Sequence, residues 1–316
     1  MPSPSRGSAP QRYRQSVDEL SPANALLDDP DALRRRLADD GYLFFRGLLP
    51  AAQVSTAADE VSAALRRGGW TDASGVASAE RRALNAKEAL GDPAFGAAIT
   101  SRGFNRVPYL TQLRRTIRAV LGAQAFSYPV KVLRAVYPER PPGVARGRYV
   151  HQDYGVSGVQ DMLTTWVPLA DIPVRLGGLA VLPGSHLGPP LRPRVLGPRE
   201  RGWATTDYRA GDVLVFHCLT SHAALPNRDV SLRLSGDFRW QRPDQPAPAQ
   251  LVLGPAGRQW ELFSRLFAGE PWWDPVPAGL ALTPRERLTV VPPGPSRYFP
   301  VHPGWRRWRP PRSDVH

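Results

Sequence analysis

The chain has a single cysteine in 316 residues, so no disulfide can close within it. That suits a reducing, cytoplasmic setting. Lysine is nearly absent: only Lys87 and Lys131 occur, and the formal charge of +13 is carried almost wholly by arginine. No apolar run reaches the length of a membrane span, and no charged start leads into an apolar stretch of the signal-peptide kind. Helix-turn-helix and zinc-finger spacings are missing too. Arginine that accumulates with proline, alanine and glycine reads as the codon bias of a GC-rich genome rather than as a phosphate-binding surface. Nucleic acid and membrane are therefore not the expected partners, and a small molecule is. Cys218 lies inside an apolar run and reads as a packed side chain, not a nucleophile.

What the chain does contain is an early helical part followed by strands and turns. Asp31 is a candidate cap for a first helix reaching Leu37, followed by a short apolar strand at Tyr42-Leu43-Phe44-Phe45. Val54, Ala58, Val61 and Leu65 recur at helical spacing before the stop Gly68-Gly69, and further helices are expected over 78–90 and 110–121. From about residue 127 short strands bounded by Gly and Pro turns take over: 130–137, 149–154, 163–167, 179–182, 213–217 and 231–240. The expected organisation is a disordered tail over 1–20 and one domain over 21–270. Within that domain, 21–126 is helical and 127–242 is a β core, and a Pro/Trp/Arg-rich extension over 271–316 packs back on it. The fold class is mainly β with flanking helices, an antiparallel sandwich or barrel.

The chemistry begins at His151-Gln152-Asp153. Read as one strand over 149–154, His151 and Asp153 point to the same face. A histidine and a carboxylate there are two thirds of a facial triad for non-haem iron, which leaves the opposite positions open. Alone the pair is a weak signal. His217 and His222 compete for the third place. His222 follows an apolar strand and is favoured, whereas His217 closes that strand and reads as packing. Arg233, Ser235 and Asp237 alternate with Leu232 and Leu234, so Arg233 faces the interior if the leucines pack under helices. An interior guanidinium calls for an anion, either a bound carboxylate or Asp237.

Several segments, in order, resemble the phytanoyl-CoA dioxygenase family of iron(II)- and 2-oxoglutarate-dependent oxygenases. Asp40-Gly41-Tyr42-Leu43-Phe44-Phe45-Arg46-Gly47 is similar to its N-terminal signature, and His151-Gln152-Asp153 to its first ligand motif. Gly177-Gly178-Leu179 with Pro183-Gly184-Ser185-His186 resembles its central turn, and Gly211-Asp212 with His222, Pro226-Asn227 and Arg233 its C-terminal block. The resemblance spans roughly 30–242. It departs at Val174-Arg175-Leu176 and at Ala224, where the family more often has polar side chains.

The resemblance implies a double-stranded β-helix (jelly roll, cupin-like) fold. It implies His151, Asp153 and His222 as iron(II) ligands and Arg233 as the anchor for the distal carboxylate of 2-oxoglutarate. Trp166 matches an aromatic position near the co-substrate, though it reads equally as core. Arg134 and Lys131 precede the ligand segment, and either could reach co-substrate or substrate. His186 reads as structural. The implied reaction uses O2 and 2-oxoglutarate to oxidise, chiefly to hydroxylate, an unactivated C–H bond of a small molecule such as a secondary-metabolite or amino-acid-type intermediate. Desaturation, cyclisation or epoxidation would use the same chemistry. Asp153 speaks against a halogenase, which lacks that carboxylate. The competing readings are a cupin-like metal enzyme that needs no 2-oxoglutarate, and a non-catalytic protein whose basic tail meets an acidic partner. The expected assembly is a monomer or homodimer.

Overall fold

The computed structural model describes residues 17–78, 91–139, 149–192, 194–196, 200–253, 259–284 and 293–307. Asp29, rather than Asp31, opens the first helix. Its Oδ1 accepts the amides of Asp31 and Ala32 at 3.0 and 2.9 Å, and Pro30 takes the first helical position of Pro30–Asp40. Asp31 falls in the first turn and pairs with Arg34 instead. Gly41 ends the helix at φ 78°. A Cβ there would lie 2.4 Å from His186 Nδ1 and 2.7 Å from Thr220 Oγ1. Only glycine lets the N-terminal segment close on the Pro-Gly-Ser-His turn and on the approach to His222.

The strands are β1 (Val17–Glu19), β2 (Tyr42–Phe45), β3 (Phe126–Ser127), β4 (Val132–Val136), β5 (Tyr149–Val150) and β6 (Leu163–Pro168). They continue as β7 (Leu179–Val181), β8 (Arg194–Val195), β9 (Trp203–Thr205), β10 (Val213–His217), β11 (His222–Ala224) and β12 (Arg233–Gln241). One sheet runs β2-β10-β6-β12-β3, with β4 also on β12; the other runs β1-β9-β7-β11. Strand alternation divides the larger sheet cleanly. Leu43, Phe45, Leu163, Val167, Val213, Val215 and Phe238 pack with Leu33, Val54 and Leu113 of the helices Pro30–Asp40, Ala51–Arg67 and Thr111–Leu121. Tyr42, Phe44, Trp166, Leu214 and Phe216 point the other way and meet Leu179, Val181 and Ala204 of the smaller sheet. The result is a jelly-roll core with helices laid on one sheet. Each of these large apolar side chains contributes on the order of 1.5–3 kcal/mol through burial.

The β core is not confined to 127–242. β1 and β2 come from the N-terminal part, and the strand Val17–Glu19 lies within the stretch expected as a tail. β2 is short, and all four of its residues are buried because its two faces fill two different layers. The tail over 1–16 and the helix expected over 78–90 fall outside the described residues, apart from residue 78. In the C-terminal extension, Trp272 joins Tyr109, Phe263 and Phe267, and Trp305 meets the Tyr154 ring edge-on at 5.7 Å. Trp308 lies outside the described residues. Among the described residues no helix is long and apolar enough to cross a membrane.

The Gly-Gly motif has a steric cause. Gly177 sits at φ +85°, where a Cβ would lie 2.6 Å from the Leu225 carbonyl. Gly177→Ala is therefore expected to destabilise the protein by about 1–3 kcal/mol. Urea unfolding measures this, and an unchanged midpoint would contradict the tight turn.

Candidate metal and co-substrate site

The His-Gln-Asp segment is not a continuous strand. β5 stops at Val150, and Asp153 adopts helical angles, φ −61° and ψ −22°, at the start of the short helix Tyr154–Ser157. His151 and Asp153 therefore converge through a bend rather than through strand alternation. Gln152 holds the bend: its Nε2 donates to the Leu219 carbonyl at 2.7 Å, and its Oε1 accepts the Leu191 amide at 3.0 Å. His151 also exchanges two backbone hydrogen bonds with His222, of 3.1 and 3.0 Å, in an isolated antiparallel bridge. This pairing brings the two imidazoles to 4.1 Å between ring centres.

Asp153 Oδ1 lies 3.7 Å from His151 Nε2 and 3.8 Å from His222 Nε2. One ligand atom from each residue lies within 4.8 Å of the other two. Each imidazole is oriented by its far nitrogen: Nδ1 of His151 bonds the Tyr149 carbonyl and Nδ1 of His222 the Thr220 carbonyl, both at 3.0 Å. A carbonyl accepts only, so each Nδ1 carries the proton and each Nε2 keeps its lone pair for a metal. Burial, reinforced by His151, pushes His222 down to about 4, which leaves it neutral and able to ligate at neutral pH. Burial would raise the Asp153 carboxyl. Arg239, His222, His151 and the Thr164 hydroxyl outweigh it and hold the carboxyl far below the usual range. The donor set, two imidazole nitrogens and one carboxylate oxygen on one side, fits iron(II).

Arg233 supplies the neighbouring feature. It begins β12 on the inner face, is buried, and donates from Nη1 to Ser235 Oγ at 2.5 Å. Its Nε is buried and has no hydrogen-bond partner among the described residues. Burial lowers its pKa to about 10, so it remains a cation at neutral pH. A buried cation with an empty donor fits a carboxylate, the group at the distal end of 2-oxoglutarate. Trp166 faces the same interior, with its ring 5.9 Å from the Arg233 guanidinium.

The other sequence candidates separate. Arg134 stands opposite Ser235 in the β4–β12 register, half-exposed, and bonds Asp237 Oδ2 at 2.8 Å. Lys131 is not part of this site. Its Nζ donates to the carbonyls of Tyr128 and Pro129 at 2.7 and 3.2 Å and lies 5.0 Å from the Tyr109 ring. Burial among these groups pulls the Lys131 ammonium down to about 7. Arg134 shares the inward face of its register partner Ser235, whereas Lys131 lies just before β4. His217 Nε2 pairs with Asp161 Oδ1 at 3.2 Å, apart from the triad. His186 Nε2 bonds the Ala38 carbonyl at 2.9 Å in the packed turn.

The sequence reading passed over Thr164 and Arg239. Thr164 donates to Asp153 Oδ2 at 2.6 Å, and Arg239 Nε approaches the same oxygen at 3.4 Å. The alternation that turns Arg233 inward extends, two residues at a time, to Arg239.

Known proteins bear on this geometry. The model of the phytanoyl-CoA dioxygenase (PhyH) family matches residues 37–234. A 1-deoxypentalenic acid 11-beta-hydroxylase of Streptomyces exfoliatus is 28% identical over 240 residues, 68% of this chain and 82% of its own. Among solved structures, the non-heme alpha ketoglutarate dependent epimerase SnoN from nogalamycin biosynthesis superposes with a TM-score of 0.51 at 22% identity, covering 81% of this chain and 98% of its own. EctD from S. alaskensis with bound Fe gives 0.51 at 17% identity, covering 85% and 94%. These two structures speak to the fold, which they share with this chain. The chain belongs to the phytanoyl-CoA dioxygenase family. It is an iron(II)- and 2-oxoglutarate-dependent oxygenase acting on a small molecule.

Two of the buried histidines set a pH dependence for the metal-free protein. His222 and His186 both fall from an ordinary 6.5 to about 4 in the fold, chiefly through burial. Below 6.5 the unfolded chain takes up protons that the folded chain refuses. Stability is therefore complete above 6.5 and declines as pH falls towards 4. At pH 5 each histidine should cost roughly 2 kcal/mol relative to pH 7.5. Urea unfolding of the metal-free protein at the two pH values tests this, and equal midpoints would contradict it.

Proposed function

We propose that His151, Asp153 and His222 hold the iron(II) and that Arg233 receives the distal carboxylate of 2-oxoglutarate. Trp166 then forms one wall of the co-substrate pocket, and Arg134, tied to Asp237, stands at its mouth. The observation that carries the reading is the convergence of one Asp153 oxygen with two imidazole Nε2 atoms whose Nδ1 protons are both held by carbonyls. Bound iron would supply oxygen activation, with 2-oxoglutarate as the reductant that leaves as succinate and carbon dioxide. The chain's own part is positional. The His151–His222 bridge fixes two ligands relative to each other. Arg233 orients the co-substrate through a charge-assisted bond. Arg233 also favours this reading over a metal enzyme without 2-oxoglutarate, which would leave its buried Nε unpaired.

The substrate we propose is a small acid with a largely apolar skeleton, of natural-product rather than amino-acid type, and the reaction is hydroxylation. Tyr149 and Val195 stand opposite each other across β5 and β8, both exposed, and Tyr149 is two residues from His151. An exposed apolar pair beside the site suits an apolar guest. The Streptomyces relative, by its name, hydroxylates an acid. The lone cysteine is buried and free, in keeping with the cytoplasmic setting we assign. The basic-tail alternative rests on Arg306, Arg307, Arg309 and Arg312, of which Arg309 and Arg312 lie outside the described residues.

Anaerobic addition of iron(II) and 2-oxoglutarate should produce a weak visible charge-transfer band, and admitting oxygen with a panel of apolar acids should yield succinate. No band and no succinate would end the reading. Asp153→Ala should abolish turnover. Arg233→Ala should raise the KM for 2-oxoglutarate by about 10- to 100-fold while iron binding persists. An active Asp153→Ala protein would sink the triad.

A further inference from the structure

Asp153 has two carboxylate oxygens, and the fold treats them differently. Oδ1 is the oxygen that faces the imidazoles of His151 and His222, at 3.7 and 3.8 Å. Oδ2 is taken by two other side chains, the Thr164 hydroxyl at 2.6 Å and the Arg239 Nε at 3.4 Å. These two donors do not come from the segment that carries Asp153. They stand directly opposite each other in the register of β6 and β12, on the inner face of the larger sheet. The side chains of Asp153 and Arg239 are both buried, 3% and 10% exposed, so water does not compete freely for these bonds. The sheet thus presents a two-pronged clamp to one oxygen of the carboxylate.

We propose that Thr164 and Arg239 are positioning residues that hold Asp153 to ligation through one oxygen, Oδ1, and so keep a coordination position open at the metal. The proposal rests on the triad being the iron site. A carboxylate free to rotate can bind a metal through both oxygens. With two imidazoles, that would occupy four positions and leave too few for a co-substrate that binds through two oxygens together with molecular oxygen. Hydrogen bonds to Oδ2 oppose the rotation. Thr164 fixes the direction, because a hydroxyl bond is short and angular. Arg239 adds charge and holds the second lone-pair region of the same oxygen. Such outer partners orient metal ligands and carry 10- to 100-fold effects on metal affinity or activity. A plain structural ion pair makes a different demand. If Arg239 served only to neutralise a buried carboxylate in the metal-free fold, its removal would leave the coordination at the bound metal, and its room for a co-substrate, unchanged.

The test uses cobalt(II) as the probe, added to metal-free full-length wild type, Thr164→Val, Thr164→Ser and Arg239→Gln, with the visible d–d spectrum and the affinity of the cobalt form for 2-oxoglutarate as readouts. Folding of each variant is checked by thermal denaturation. Wild-type binding with a d–d spectrum establishes that the triad takes a metal, and no binding by wild type would refute the site itself rather than the clamp. The clamp predicts that in Thr164→Val and Arg239→Gln the cobalt d–d band changes and the cobalt form binds 2-oxoglutarate about 10- to 100-fold more weakly, and that Thr164→Ser, which keeps the hydroxyl, restores both. A wild-type spectrum with wild-type 2-oxoglutarate affinity in Thr164→Val and Arg239→Gln would overturn it. If Arg239→Gln fails to fold, the contrast between Thr164→Val and Thr164→Ser decides alone.

Discussion

The backbone bridge between His151 and His222 is the contact on which the site depends. His151 follows the two-residue strand β5, and His222 opens β11 of the smaller sheet. They are joined by only two hydrogen bonds, each residue donating to the other's carbonyl. Such a pair brings opposing side chains onto one face, so the two imidazoles meet without a ladder around them. The rest of the local structure braces that bridge. Gln152 ties the bend to Leu219 and Leu191, and the Thr220 hydroxyl donates to the Gly41 carbonyl. The far ring nitrogens are held by carbonyls two residues back in each segment. A helix-ending glycine at position 41 thus helps to set the path into His222 from more than half the chain away.

β12 organises the polar interior. Its alternate residues Arg233, Ser235, Asp237 and Arg239 all look towards the smaller sheet, whereas Phe238 and Trp240 pack beneath the helices. Burying two guanidiniums on one strand is costly unless each has a counter-charge. Arg239 has Asp153. Arg233 has a serine hydroxyl and an unpaired Nε, and Asp237, which bonds Arg134 through Oδ2, favours its charge only through space. The asymmetry is chemical: one arginine completes a protein carboxylate, and the other keeps a free donor that suits the carboxylate we propose it receives. A chain in which nearly every cation is arginine therefore carries two whose positions have specific meaning, and neither reflects its overall charge.

Much of this was legible from local pattern. Alternation with Leu232 and Leu234 turned Arg233 inward, and the position of His222 just after an apolar strand set it above His217, whose partner proves to be Asp161. The limits were physical as well. His151 and Asp153, two apart, look like neighbours on a strand, but they meet through a bend that Gln152 holds with contacts distant in sequence. Lys131 and Arg134 are three apart, and only Arg134 falls within β4. Asp31 reads as the helix cap although Asp29 fills that place, because an acid in the first turn resembles one at the cap position. The meeting of Gly41 with His186 and Thr220, and the grip of Thr164 and Arg239 on Asp153, are long-range contacts that no local period encodes.

The most direct test of the central claim is an anomalous difference map at the iron edge from crystals loaded anaerobically with iron(II) and 2-oxoglutarate. The account requires one iron peak bounded by His151 Nε2, His222 Nε2 and a single oxygen of Asp153, with the distal carboxylate of 2-oxoglutarate on Arg233. An iron peak elsewhere, or a co-substrate whose distal carboxylate leaves Arg233 unpaired, would contradict it.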